Sequence, residues 1–283
     1  MEQAQNAVHR SSQANSANWV EHVVGQLPGE IHQHLPAVAV YHLGYQMLAH
    51  PDNHGYEAAF RELLAAHIAQ LPIDEARGLL MMAINHGIRS INAGEKAAIK
   101  STLAYYQIGL DKRLLHDDNG ILSKYTYNNV LMAYLALEDW ENAKIFLEQY
   151  LPDLAASERE NIYHYNLAVF HFRRGDFDSC LNLLRGVGFA DPMYNLESRK
   201  MLLKIYYEQS AYDALQSLLE NLLTWLRRHG ELGYHREMYR NLAVFTGRLI
   251  RLRPNDTEGR KRLKKKILDT PLVAERGWLL GKV

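Results

Sequence analysis

Apolar residues along the chain recur at intervals of three and four rather than alternating. Leu43, Met47 and Leu48 share one helical face, as do Ala59, Leu63, Leu64 and His67. Further on, Leu202, Ile205 and Tyr206 repeat the pattern, followed by Leu215, Leu218, Leu219, Leu222 and Leu223. That period is the signature of amphipathic α-helices. Strand signals are missing: there is no sustained apolar/polar alternation and no Asn-Gly or Asp-Gly hairpin turn placed to join two strands. Turn and cap clusters separate the helical blocks, at 50–53, 71–72, 92–94, 117–120, 151–152, 191–192 and 253–256. Breaks about 15–20 residues apart predict helices of three to five turns on short loops, roughly twelve to fourteen antiparallel helices in all.

Within this pattern the chain repeats itself. An aromatic residue opens a helix and a small or apolar residue follows three positions later: Trp140 and Ala143, Phe177 and Cys180, Tyr212 and Leu215. Nine positions upstream of each second member stand Tyr134, His171 and Tyr206. Four positions before those come Val130, Leu167 and Leu202, and four positions downstream of the small residue come Leu147, Leu184 and Leu219. The turns between the paired helices read Glu138-Asp139-Trp140, Gly175-Asp176-Phe177 and Ser210-Ala211-Tyr212.

These positions resemble the tetratricopeptide repeat (TPR), a helical hairpin with a small residue at the tight helix crossing and an aromatic plug at the turn. The middle copy, with Leu167-Ala168, His171, Gly175-Asp176-Phe177, Cys180, Leu184 and Pro192, follows the family spacing throughout. The first copy lacks the closing proline, and the third has Leu203 and Leu215 where a small residue is usual. A fainter copy runs through Leu43-Gly44, Met47, Tyr56, Ala59 and Leu63, with a longer turn around Pro51 and Gly55. The segment from Tyr125 to Trp278 is also similar to the C-terminal half of a group of larger bacterial TPR-like proteins of the Bacteroidetes type. The resemblance implies an all-α fold, a right-handed superhelical solenoid of antiparallel hairpins sharing a continuous core. The expected organisation is a disordered leader over 1–18, degenerate hairpins over 19–120, three TPR-like repeats over 121–230 and basic capping helices over 231–283, with one continuous solenoid from 19 to 283. Trp140, Phe177, Tyr212, Ala143 and Leu167 are expected in the core, and His164 and His171 as buried, hydrogen-bonded histidines.

Composition narrows the chemistry. Of 283 residues, 47% are apolar and 23% charged, ordinary globular usage. Cys180 is the only cysteine, which excludes an internal disulfide framework and a multi-cysteine zinc site. No run of about 18 apolar residues is present to cross a bilayer, so no membrane partner is expected. With no export signal, a cytoplasmic location is expected. No phosphate-binding glycine loop, dinucleotide fingerprint or nucleophile elbow occurs, so no cofactor is expected. Gly186-Val187-Gly188 follows a helix and reads as its C-terminal cap. The 14 histidines include His32 and His34, His50 and His54 across a helix-breaking Pro51, and His229 and His235 around Glu231, but no His-Glu-x-x-His pair, so no metal site is expected. Cys180 falls on a helix-crossing position, where a thiol is buried and unreactive. The chain is therefore expected not to be an enzyme.

The first helix of each TPR hairpin lines a concave face, and the resemblance implies which residues face a ligand there. These are Tyr125, Asn128, Asn129 and Met132 in the first repeat; Tyr165, Asn166, Val169, Phe172 and Arg173 in the second; and Lys200, Lys204 and Tyr207 in the third. Asn129 and Asn166 occupy places where TPR asparagines hydrogen-bond a ligand backbone, and an amide offers both donor and acceptor. The set that clamps a chaperone's terminal carboxylate is not matched: Asn128, Met132 and Glu197 stand where Lys, Asn and Lys would be, and Asn166 alone fits. A neighbouring helix or the chain's own tail could fill the groove instead. The expected function is a protein-interaction scaffold that binds a peptide or helix in this groove.

Charge adds an alternative. The formal net charge is zero, but from Leu222 onward 15 Lys+Arg face 6 Asp+Glu, a net of +9, and the residues before it carry −9. The densest cluster is Arg260, Lys261, Arg262, Lys264, Lys265 and Lys266, preceded by Arg248, Arg251 and Arg253. Such a patch suits nucleic-acid phosphates, an acidic partner or self-association with the acidic body. The apolar ending Gly277-Trp278-Leu279-Leu280 is expected either to fold back on the last hairpin or to contact another chain.

Overall fold

The computed structural model describes residues 36–185, 188, 191–253 and 255–283. The expected leader over 1–18, His32, His34, Gly186, Val187 and Pro254 lie outside the described residues. Among the described residues the chain is all-helical, with thirteen α-helices and no β-strand. An isolated bridge between His116 and Leu122 is the one extended pairing among them.

In order, the helices are α1 (Pro36–Ala49), α2 (His54–His67), α3 (Ile73–Asn92), α4 (Ala98–Asp111), α5 (Lys124–Ala136), α6 (Trp140–Gln149), α7 (Arg159–Arg174), α8 (Phe177–Arg185), α9 (Pro192–Glu208), α10 (Tyr212–Arg228), α11 (Tyr234–Leu249), α12 (Thr257–Asp269) and α13 (Arg276–Lys282). Neighbours in sequence are neighbours in space: α1 packs on α2, α3 on α4, α4 on α5 and α5 on α6, and further along α9 on α10 and α10 on α11. By contacts the chain divides into two compact units, one ending at Arg159 and the other spanning Glu160–Val283.

The three turns that look alike in sequence share one backbone conformation. Glu138, Gly175 and Ser210 have φ of 57°, 77° and 56°, the left-handed region. In each, the next residue's N–H reaches back five positions: Asp139 to the Tyr134 carbonyl, Asp176 to His171 and Ala211 to Tyr206, at 2.9–3.0 Å. That bond closes a Schellman cap, which satisfies carbonyls left open at a helix end. The residues nine positions upstream of the helix crossing are thus the acceptors of the cap. Asp139 and Asp176 then open the next helix by accepting from the backbone N–H of Asn142 and Ser179, both at 3.2 Å. The α3–α4 hairpin uses the same cap, with Gly94 at φ 101° and the Glu95 N–H bonded to the Ser90 carbonyl.

In the first unit the hairpins close where a side chain is missing. A Cβ on Gly44 would meet Met82 Cε at 2.8 Å and Phe60 Cε2 at 3.1 Å, and one on Gly87 would sit 2.0 Å from Thr102 Oγ1. Around these contacts Val40, Phe60, Leu64, Leu80, Ala83 and Tyr105 are almost fully buried. In the second unit Leu203, Leu215, Leu222, Leu242, Ile267 and Leu279 form the centre of one apolar cluster running from α9 to α13.

Of the expected core residues, Ala143 is fully buried, and Trp140, Leu167 and Phe177 are half-buried. Tyr212 is 46% exposed, a correction: it rests edge-on against Tyr207 at the rim of the α9–α10 turn. His164 and His171 are half-buried rather than buried. The His171 ring shares a 2.8 Å hydrogen bond with the exposed carboxylate of Asp176.

Candidate functional site

Two of the four groove residues of the first repeat, Asn129 and Met132, line a cleft, and Tyr125 and Asn128 do not. Ser123 caps α5 by accepting from the Tyr125 N–H. Tyr125 stands at the surface, 59% exposed, and Asn128 is half-buried. One turn along, Asn129 and Met132 line a cleft of about 330 Å³ between α3, α4 and α5. Its other apolar walls are Ile88, Ile91, Ile99, Ala133 and Ala136, with Asn92, Thr102 and Tyr106 as polar lining. The Asn129 amide donates to Tyr106 Oη at 3.3 Å, and among the described residues its Oδ1 has no hydrogen-bond partner. Burial raises the Tyr106 phenol above its ordinary pKa, with the Asn129 bond acting the other way, so the group stays neutral. An exposed amide acceptor thus stands at the edge of an apolar hollow.

The second repeat is different. Tyr165, Asn166 and Val169 are buried, Asn166 completely. The Asn166 amide donates to the Ile162 carbonyl at 2.8 Å, and its Oδ1 is buried with no hydrogen-bond partner among the described residues. These three residues lie on the packed face of α7, where Tyr165 meets Tyr194 of α9 edge-on at 4.8 Å. The expectation that they present themselves to a ligand is corrected on that ground. Phe172 is half-buried beneath the Lys204 ammonium, and Arg173 is exposed.

Lys200, Lys204 and Tyr207 do share a face of α9, and the chain's own end covers it. Lys204 binds the Glu275 carboxylate at 2.8 Å; Lys200 reaches it at 3.5 Å and also pairs with Glu197. The Trp278 ring stands edge-on to Tyr207 at 5.2 Å. Its Nε1–H donates to Glu208, which also pairs with Lys282 at 2.7 Å. Burial opposes ionisation of Glu275, but the hydrogen bond and charge of Lys204, with Lys200, outweigh it and hold the carboxyl below its ordinary value. Arg276 ties the preceding loop down by donating to four carbonyls, of Ile267, Leu268, Thr270 and Pro271. The apolar ending folds back onto its own unit, and this stretch of groove is filled.

The basic end forms two clefts. One, of about 340 Å³, lies between α11 and α12 and gathers Arg248, Arg251, Arg262 and Lys266 around Leu252 and Leu263. The other, of about 670 Å³, lies between α10 and α11 and carries Arg227, Arg236 and Arg240. Of the remaining expected cluster, Arg260 donates to the Lys282 carbonyl and Lys261 pairs with Glu258. Arg253, Lys264 and Lys265 are exposed and line neither cleft. Arg227, Arg236 and Arg240 were not singled out from the sequence. They are dispersed along it, and only the packing of α10 against α11 brings them together.

No family model, curated protein or solved structure matches this chain.

The side-chain chemistry offers surfaces for binding. Cys180 is fully buried, and burial pushes its thiol up to about 12, so it is not a thiolate at neutral pH. Among the described residues no three His, Cys, Asp or Glu side chains come together to hold a metal ion. His229 stacks on Trp225 at 3.9 Å and shares a hydrogen bond with the Trp225 carbonyl, while His235 packs on Tyr234. No helix among the described residues is long and apolar enough to cross a membrane.

Proposed function

We propose that this chain is a non-catalytic interaction protein, a TPR-like stack of helical hairpins that binds a peptide or helix of a partner protein. The observation that carries the reading is the apolar cleft of the first unit with Asn129 at its edge. Its isoleucine and methionine walls suit one or two apolar anchors, and the free Asn129 Oδ1 suits a backbone N–H of an extended or helical ligand. Both residues stand on the helix that lines the concave face in TPR proteins. The shared Schellman turns at Glu138, Gly175 and Ser210 support the TPR-like reading, as does the packing of α1 against α3, first helix on first helix. A right-handed superhelix and a cytoplasmic location complete it.

The binding site is narrower than the repeat pattern implies. It centres on α3, α4 and α5, because the α7 face is packed and the α9 face is filled by residues 275–282. A photo-crosslinking residue at position 132, in the native host, tests this. A discrete protein partner should crosslink from position 132 but not from the exposed Lys144 position, should persist in moderate salt, and should be lost with Asn129→Ala or Ile91→Glu. Equal crosslinking from both positions would remove the reading.

A further inference from the structure

Two separate cationic clefts flank α11 in the second unit, and we propose that together they form a furrow that binds a nucleic acid through its phosphodiester backbone. Arg236, Arg240, Val244 and Arg248 follow one another at four-residue steps along α11. Arg236, Arg240 and Val244 line the first cleft and Arg248 the second. Positions four apart form a ridge on a helix. At 1.5 Å per residue the ridge advances about 6 Å per step and about 18 Å from Arg236 to Arg248. Arg227 of α10 flanks its start, and Arg262 and Lys266 of α12 flank its end.

With Arg251 the clefts hold seven cations, and none of the seven makes an ion pair among the described residues. Arg227 spends one N–H on the neighbouring Thr224 hydroxyl, and Arg248 leans over the Phe245 ring at 5.9 Å. Two carboxylates line the clefts. Glu220 accepts from Gln216, and Asp256 caps α12 by accepting from the Gly259 N–H at 2.7 Å. The furrow therefore holds seven cations against two anions. Their mutual repulsion opposes folding, and a polyanion would relieve it.

Chemistry and shape select the ligand. Six of the seven are arginines, whose planar fork binds phosphate through two parallel bonds. Arg236, Arg240 and Arg248 recur at multiples of four along α11, turning about 40° round the helix at each four-residue step, a course that a flexible, regularly charged strand can follow. With one phosphate per about 3.4 Å of axis on each strand, about 18 Å of ridge spans about five phosphates. A flat lipid surface would touch only the rims of concave clefts. No aromatic side chain lines either cleft, so bases gain no stacking platform and the contact is to the backbone, independent of sequence.

Fluorescence anisotropy of the full chain tests this with labelled oligonucleotides of about 20 nucleotides, single-stranded and duplex, over about 50 to 200 mM salt. Binding should weaken with a slope of log affinity on log salt of about −4 to −6. Arg240→Glu with Arg248→Glu should lower affinity about tenfold or more and reduce the slope by about two. Lys112→Glu with Lys144→Glu, exposed in the first unit, changes the net charge equally and should leave affinity within about twofold. If the glutamate pair fails to fold by circular dichroism, Arg240→Gln with Arg248→Gln takes its place. No binding at low salt overturns the proposal, as does binding that both double variants weaken alike. Tighter binding of phosphatidylserine vesicles or of polyglutamate than of either oligonucleotide also overturns it. The furrow and the α3–α5 cleft share no residue, so failure here leaves the peptide reading standing.

Discussion

Ala211 occupies the place where the two preceding repeats carry an aspartate. Asp139 and Asp176 each turn a carboxylate onto the N–H three residues ahead, and Ala211 has no side chain to do so. Its backbone is otherwise theirs, down to the bond from its own N–H to the Tyr206 carbonyl. Ala211→Asp should therefore cap α10 and stabilise the second unit by about 1 kcal/mol, read as a raised thermal midpoint. Gly87 carries the opposite prediction. A methyl there would overlap Thr102 Oγ1, whose hydroxyl donates to the Ala98 carbonyl at 2.6 Å. Gly87→Ala should cost about 1–3 kcal/mol in chemical denaturation. Adding Thr102→Ala should restore part of it, because the clash is with that hydroxyl. Coupling near zero between the two substitutions would mean that the helices separate rather than collide.

At the scale of elements, the C-terminal segment is the part most open to test. Glu275 has its carboxyl held below the ordinary glutamate value of 4.5, with Lys204 and Lys200 outweighing the cost of burial. A depressed carboxylate stabilises the fold above its unfolded pKa, and the contribution is lost as pH falls through the folded value. Glu275→Gln should therefore lower the thermal midpoint of the second unit at neutral pH. The difference from the native chain should shrink as pH drops below about 4. A difference that stays constant down to strong acid would show that the carboxylate's charge contributes nothing.

The same segment shows what the sequence left unread. Helix spacing and turn clusters made the all-helical fold and the hairpins at 134–147, 171–184 and 206–219 legible, because caps and crossings are local. A tail folded back into the groove was one of the alternatives the sequence left open, but that it covers Lys200, Lys204 and Tyr207 depends on partners some 70 positions away, which no repeat pattern encodes. Family spacing implies that Asn166 faces a ligand, whereas it is buried with Tyr165 and Val169 beside it on a face that packs inward. The α3–α5 cleft was half visible, through Asn129 and Met132. Its isoleucine walls belong to a hairpin whose close crossing is built on Gly87, away from the motif positions.

At the scale of the whole chain, a net charge of zero conceals a basic final stretch of +9, and a repeat pattern that runs across Arg159–Glu160 conceals a division into two compact units. Chains with more than one compact unit depart from two-state unfolding. The two units should then unfold in separable steps. Each step should respond only to substitutions in its own core. Gly87→Ala should shift one calorimetric transition. Leu222→Ala, which removes a fully buried side chain at about 2–5 kcal/mol, should shift the other by about 5 °C or more. An oligonucleotide bound in the α10–α12 furrow should raise only the second transition, by mass action on the unit that holds it. If both substitutions move one common transition, the chain unfolds as a single cooperative block.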